Sequence, residues 1–150
     1  MITLDKINNK ILHELVNDGR VTNSELAERV GLSPSACLRR VQELERSGVI
    51  TGYRAVLDQV ALGLGFTAYI AVGLSSHTKE SQNAFEEAIV QSPEVRECHN
   101  VTGAFEYLLR VETSDLAAYK VFHTDVLGTL PQVSTISTHV VMESAKDERA

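Results

Sequence analysis

TNSELAERVGLSPSACLRRVQELERSG, residues 22–48, carries two helix starts and two helix stops in one short span. Thr22-Asn23-Ser24-Glu25 has the form of a capping box, a hydroxyl at the N-cap and a carboxylate three residues on. Leu26, Ala27 and Val30 follow at helical spacing, and Gly31 stops the helix. Ser33-Pro34 restarts it at once: Ser caps free N–H groups, and Pro at the first helical position loses nothing by lacking one. Gly48 ends the second helix. Two short helices joined by a tight turn containing Gly form the helix-turn-helix pattern, which can lay its second helix in the DNA major groove.

The second helix has two distinct faces. At 100° per residue, Cys37, Leu38, Val41 and Leu44 fall on one side. Ser35, Arg39, Gln42, Glu43 and Arg46 fall opposite, with Ala36 and Arg40 on the flanks. Arg can pair bidentately with guanine, and Ser and Gln can reach base edges or phosphate. The helix N-terminus is expected to lead into the groove, with Ser35, Ala36 and Arg39 closest to bases, Ser33 and Arg40 toward phosphate, and Gln42 able to reach either. The same pattern also describes a solvated helix hairpin with ordinary surface charge.

The charge distribution favours the DNA reading over the bare net charge of -6. Residues 1–54 hold eight Lys/Arg against seven Asp/Glu, and residues 55–150 hold six against thirteen. The acidity therefore lies in the second part, and a DNA-binding module needs only a local basic face. A nearly neutral module neutralises few phosphates, so useful affinity requires pairing of copies. The apolar fraction of 43% and charged fraction of 23% are those of a globular protein. No apolar run reaches the length of a membrane span, and the first residues lack the form of a signal peptide. Cys37 and Cys98 are too few for a disulfide framework and fit a reducing cytoplasm, the expected location.

Around residues 22–48 the chain is expected to divide into a DNA-binding domain (1–50), an extended linker (51–65), a second domain (66–143) and a short tail (144–150). Leu4 to Asp18 reads as a first helix, with Ile7, Ile11, Leu12, Leu15 and Val16 on a broad apolar face. VITGYRAVLD, residues 49–58, alternates and is β-rich, an extended segment leading out of the bundle and a candidate small wing. The second domain reads as strand 66–74, helix 79–91, strand 95–101, tight loop 102–105, strand 106–113, helix 115–127 and strand 133–142. The order β-α-β-β-α-β is that of the ferredoxin-like fold, so the fold class is α+β. Ile70, Val72 and Leu74 alternate with Tyr69, Ala71 and Gly73, which predicts a sheet apolar on both faces and hence a partner on the open one.

Taken together and in order, four segments resemble the Lrp/AsnC (leucine-responsive/asparagine regulator) family of transcription regulators. They are LDKINNKILHELVNDGR, ELAERVGLSPSACLRRVQELERSGVITGY, ECHNVTGAFEYLLRVETSDLAAY and LPQVSTISTHVVME. The likeness runs nearly end to end and is greatest to the leucine-responsive branch. The resemblance implies a winged helix-turn-helix, a hinge strand, and a ferredoxin-like domain that dimerises and binds a small effector, usually an amino acid. It further implies assembly of dimers, often four in a ring, and double-stranded DNA as the partner.

The loop Thr102-Gly103-Ala104-Phe105-Glu106 has two readings. Gly103 at positive φ would expose N–H groups to a carboxylate, and Glu106 could accept an amino group; those are the two ends of an amino acid. A plain hairpin turn with a surface Glu is the alternative. The resemblance favours the first, because in the family this loop is part of the effector site between dimers. It also marks a departure: the family usually has Asp where this chain has Glu106. The extra methylene moves the carboxylate roughly 1.5 Å outward. Leu116 and His139 match positions linked to effector response in the family, and Leu116 is equally readable as core.

No catalytic set is visible, so the chain is not expected to be an enzyme. The five His residues show no i, i+4 pair and no H-E-x-x-H, which argues against a metal site. G-x-S-x-G, P-loop and G-x-G-x-x-G motifs are absent from the sequence. No cofactor is expected beyond an amino-acid effector. The competing readings are a ferredoxin-like amino-acid-binding protein or enzyme with a helical appendage, and an architectural DNA-binding protein with no effector.

Overall fold

The computed structural model describes residues 4–147. The chain divides between Ala55 and Val56 into two compact units. The boundary falls inside the stretch 51–65, so the second half of that segment belongs with the sheet domain.

Three helices make the first unit: α1 (Lys6–Asn17), α2 (Asn23–Val30) and α3 (Pro34–Arg46). Their ends are set by side chains placed to satisfy the first free N–H groups. Asp5 caps α1 by accepting from the Asn8 N–H at 2.7 Å. Thr22 and Glu25 complete the reciprocal capping box on α2. Gly31 sits at φ 75°, where a Cβ would be strained, and its N–H closes the end of α2 on the Ala27 and Glu28 carbonyls. Ser33 caps α3 two residues later. The turn is pinned further by the Asn23 side chain, which donates to the Pro34 carbonyl at 2.8 Å. Ile11, Leu26, Ala27, Val30, Cys37 and Leu44 form the buried core, so each helix gives one stripe to a shared centre. Leu38, expected on the inner side of α3, is 46% exposed. It lies a full step off the Cys37–Leu44 line, which alone reaches the core.

Residues 51–58 form neither helix nor strand, so the candidate wing pairs with no strand among the described residues. A lone extended segment has no partner to complete its hydrogen-bond ladder, which is why alternation by itself did not make a sheet.

The second unit runs β1 (Phe66–Leu74), α4 (Lys79–Val90), β2 (Val95–Asn100), β3 (Tyr107–Thr113), α5 (Leu116–Asp125), a short 3-10 turn (Leu127–Thr129) and β4 (Val133–Val140). The strands lie in the order β2-β3-β1-β4, all pairs antiparallel. This is the βαββαβ ferredoxin-like arrangement. Phe85 and Ile89 of α4 and Tyr119 and Phe122 of α5 pack against Ala68, Ile70, Val72, Leu109 and Val111. Both helices therefore cover one sheet face.

Register fixes what the other face carries, because residues directly opposite share a face. Tyr69 lies opposite Arg110 and His139, Ala71 opposite Leu108 and Ser137, and Thr67 opposite Glu112. On β2, Glu97 faces Arg110 and His99 faces Leu108. The open face is thus mixed and strongly polar, not the apolar surface expected from β1 alone. The error lies in reading one central strand: β1 is apolar on both sides, whereas its neighbours place charges there. Cys98 and His99 point to opposite faces, as adjacent strand residues must.

Of the expected tail, residues 148–150 lie outside the described residues. Among the described residues, no helix is long and apolar enough to cross a membrane, and no group of three or more His, Cys, Asp or Glu is placed to hold a metal ion.

Candidate functional sites

The outer face of α3 carries Ser33, Ser35, Arg39 and Gln42 exposed, with Ala36 and Arg40 half-buried. These residues share one surface, but their side chains are differently committed. The Ser33 hydroxyl accepts from the Ala36 N–H at 3.3 Å as the helix cap and lies 3.3 Å from the Ser35 hydroxyl. Arg46 is paired to Glu43 at 2.6 Å. Among the arginines of α3, Arg39 alone has no ion pair or hydrogen bond with the described residues. Its guanidinium is the one left fully available for a base edge or phosphate.

Arg40 meets a different arrangement from the phosphate role expected of it. Its Nη1 donates to Asp5 Oδ2 at 2.7 Å and to Asn8 Oδ1 at 2.9 Å. Asp5 is thus both the cap of α1 and the acceptor that ties α3 to it. Sequence reading passed over Asp5 by starting the helix at Leu4; an Asp just before an apolar-periodic run is the N-cap signal that would have found it. The Asn8 N–H and, next, the Arg40 guanidinium hold the Asp5 carboxyl below its ordinary value. A depressed carboxyl contributes stability above the unfolded pKa and loses it as pH falls through the folded one. The expected result is a small favourable double-mutant coupling between Asp5→Asn and Arg40→Ala in chemical unfolding, fading on acidification below the ordinary carboxylate range. A coupling that is zero at neutral pH, or that survives protonation of Asp5, would remove the clasp.

The second candidate site is at the start of β3. Residues 102–105 form a bend in which Gly103 takes φ 122°, left-handed backbone that suits only Gly. Thr102, Gly103 and Ala104 are exposed. Their N–H groups make no hydrogen bond with the described residues. The loop therefore offers donors to an anion, as its glycine suggests.

Glu106 anchors this loop and its carboxylate turns inward. Its N–H donates to the Val72 carbonyl at 3.1 Å, and its carbonyl accepts from the Val101 N–H at 2.8 Å. Oε2 accepts from the Leu74 N–H at 2.6 Å, and Oε1 lies 2.9 Å from His77 Nδ1. The side chain is 15% exposed. The additional methylene is what lets the carboxylate reach the end of β1. Sequence reasoning missed His77, whose only signal is its place just after β1.

Leu116 and His139 do not join this loop within one chain. Leu116 is 63% exposed in the first turn of α5, which excludes the core reading. It follows the far end of β3, roughly 20 Å from the loop at strand rise. His139 stands on the open sheet face opposite Tyr69, its Nε2 3.4 Å from the Ser137 hydroxyl.

The comparisons with known proteins divide the chain at the same place. Residues 4–51 match the model of a winged helix-turn-helix DNA-binding family, and residues 67–150 match that of the Lrp/AsnC ligand binding domain. The leucine-responsive regulatory protein of Escherichia coli is 41% identical over 143 residues, covering 95% of this chain and 87% of the relative. A transcriptional regulator of Neisseria meningitidis, solved as a complex with L-methionine, is 38% identical with a TM-score of 0.93, covering 97% and 94% of the two chains. The feast or famine regulatory protein of Mycobacterium tuberculosis, also complexed with L-methionine, is 30% identical with a TM-score of 0.84 over 99% and 98%.

Proposed function

The chain belongs to the Lrp/AsnC family of transcription regulators, and on that premise we propose how its residues do the work. The protein is a helix-turn-helix DNA-binding regulator with an amino-acid-binding domain. The α3 helix enters the major groove N-terminus first, with Ser35, Ala36, Arg39 and Gln42 toward the bases. Ser33 and the helix N-terminus meet phosphate, and Arg40 fixes the helix to α1. The observation that carries this reading is the unpaired Arg39 on a helix whose start is pinned by Ser33, Asn23 and Pro34.

The effector is a small amino acid bound beside Thr102, Gly103, Ala104 and Glu106, with Leu116 and His139 brought in only by assembly. Its carboxylate takes the loop N–H groups, and its ammonium faces the Glu106–His77 pair. Each end of a zwitterion needs a charge-assisted partner once water is excluded. Two relatives solved with L-methionine support an amino acid as the class. DNA and effector regions lie in different units, so the effector acts by favouring one assembly over another. The working place of such a protein is the cytoplasm. No further cofactor belongs to the proposal.

Assembly is a homodimer at minimum, extending to octamers as the family suggests. The mixed open sheet face does not carry this by itself. Val56, Leu57, Val60 and Leu62 do, since all four are more than half exposed in one short segment before β1. A two-fold dimer presents two α3 helices to near-palindromic half-sites about 10 bp apart or a multiple of that. Light scattering at micromolar concentration is expected to give a dimer or larger; a monomer removes the assembly. The decisive experiment is selection of bound duplexes from a random library, with and without mixed amino acids. Enrichment of a two-fold-symmetric site, altered in strength by amino acids, is the expected result. No enrichment in either arm overturns the proposal.

A further inference from the structure

The helical unit keeps hold of the chain past the end of α3. Gly48 takes φ 76°, and its N–H donates to the Glu45 carbonyl at 3.0 Å, so the helix closes in left-handed backbone. The Ile50 N–H then returns to the Leu44 carbonyl at 3.0 Å, and the Ile50 side chain packs against the core of Ile11, Leu26 and Leu44. Both steps are local to the helix end.

Tyr53 makes a longer connection. Its hydroxyl donates to Glu45 Oε1 at 2.9 Å, back on α3. Its ring lies over the turn between α1 and α2: a Cβ on Gly19 would stand 4.0 Å from Tyr53 Cδ1, so the bare glycine leaves room for the ring edge. Partial burial and, after it, the Glu45 carboxylate push the phenol up to about 12, which keeps the hydroxyl a donor at neutral pH. From Thr51 to Leu57 this is the only hydrogen bond among the described residues. The side chain is 53% exposed and stands outside the helical core, so filling that core is not its role.

These ties decide where the chain leaves the unit. With Tyr53 held, the first free residue is Arg54. With Tyr53 released it is Thr51, and each copy gains roughly 10 Å of tether from residues 51–53. That reach is about three base pairs at roughly 3.4 Å each. Two helical units on such loosened tethers would accept half-sites at several spacings.

We propose that Tyr53 is a positioning residue for DNA recognition: by tying the linker to Glu45 and to the α1–α2 turn, it fixes where the linker leaves the helical unit and so restricts the half-site spacing a dimer accepts. The inference rests on the paired recognition of DNA proposed above. Tyr53 acts through the linker and does not itself meet DNA. A second α3 held at the right distance has a higher effective concentration at its half-site than one on a longer, looser tether.

The test compares three duplexes at one fixed salt concentration: the selected site, the same site with about 5 bp, half a helical turn, inserted between its half-sites, and a lone half-site. The wild-type chain should prefer the selected site to the lengthened one about tenfold or more. In Tyr53→Ala that preference should fall about fivefold, while binding to the lone half-site stays as in wild type. Tyr53→Phe keeps the ring and loses the hydroxyl, and Glu45→Ala loses the acceptor. Each should lower the preference, and the two combined should lower it no further than the stronger alone. The ratio between duplexes cancels any uniform change caused by removing the Glu45 charge. Glu45→Gln retains an acceptor oxygen and should keep the preference. Should Tyr53→Ala fail to fold, Tyr53→Phe and Glu45→Ala decide the matter by the same comparison. An unchanged preference with the lone half-site still bound overturns the latch and leaves the dimer standing. Loss of lone half-site binding in both Tyr53→Phe and Glu45→Ala makes the contact part of the unit's own fold, which also overturns it. A wild-type chain that binds both two-half-site duplexes equally overturns paired recognition and the latch together.

Discussion

Arg39→Ala should lower DNA affinity by about 1–3 kcal/mol, and the loss should be concentrated at one base position of the selected site. The magnitude is that of a bidentate Arg–base contact. The expectation rests on what the neighbouring cations are doing. Arg40 is tied to Asp5 and Asn8, and Arg46 to Glu43, so Arg39 is the α3 arginine with all its donors free. Arg46→Ala, which breaks only an exposed i, i+3 pair, should change affinity little and uniformly across sequences. Both variants need measurement at one fixed salt concentration, because phosphate contacts alone move affinity steeply with salt. If Arg39→Ala leaves both affinity and base preference intact, α3 does not meet the groove as placed here.

Glu106→Gln should abolish the amino-acid-dependent change in DNA affinity, roughly 5- to 150-fold for a coupling of about 1–3 kcal/mol, and leave effector-free DNA binding as it is. Gln can still accept from the Leu74 N–H through its carbonyl, so the end of β1 keeps its hydrogen bond. What disappears is the negative charge beside His77, the one assigned to the ammonium in the proposal. Glu106→Asp is the informative partner. Its carboxylate is withdrawn roughly 1.5 Å and no longer reaches the Leu74 N–H. The expected cost is about 1.5–3 kcal/mol of stability in the sheet domain, the worth of a hydrogen bond to a charged group. The charge stays, so the response to amino acids should persist. A Glu106→Gln protein that still shifts its DNA affinity with amino acid would take Glu106 out of the effector site.

Much of this molecule is local in origin, and the local part was legible. The capping box at Thr22, the Gly31 stop and the Ser33-Pro34 restart each depend on residues within four positions of one another, and each forms. Strand β1 spans the expected residues 66–74, because a β-branched and aromatic run bounded by Gly and Ser has no competing helical period. The order of elements then leaves the ferredoxin-like arrangement as the natural closure. The exposure of Gly103 and its positive φ were equally local, since a tight bend at that point demands a residue without a Cβ.

The rest depended on residues far apart in the chain. Arg40 looks like any helix-surface arginine until the helix bundle brings Asp5 beside it, 35 positions away. Glu106 reads as a surface acid until β3 pairs with β1 and sets the Leu74 N–H within reach of its longer side chain. The polar open face could not be read from β1, whose own alternation is apolar on both sides; only the register with β2, β3 and β4 shows which charges stand there. Arg96 of β2 and Arg110 of β3 meet the Glu112 carboxylate in the same way, with the two strands side by side. Helix ends, turn glycines and strand runs are decided by the chain's short-range geometry, so the sequence by itself determined the elements, their order and the family they belong to. Which charges are spent on one another and which remain for a ligand is decided by distances across the fold, and that only the tertiary structure could settle.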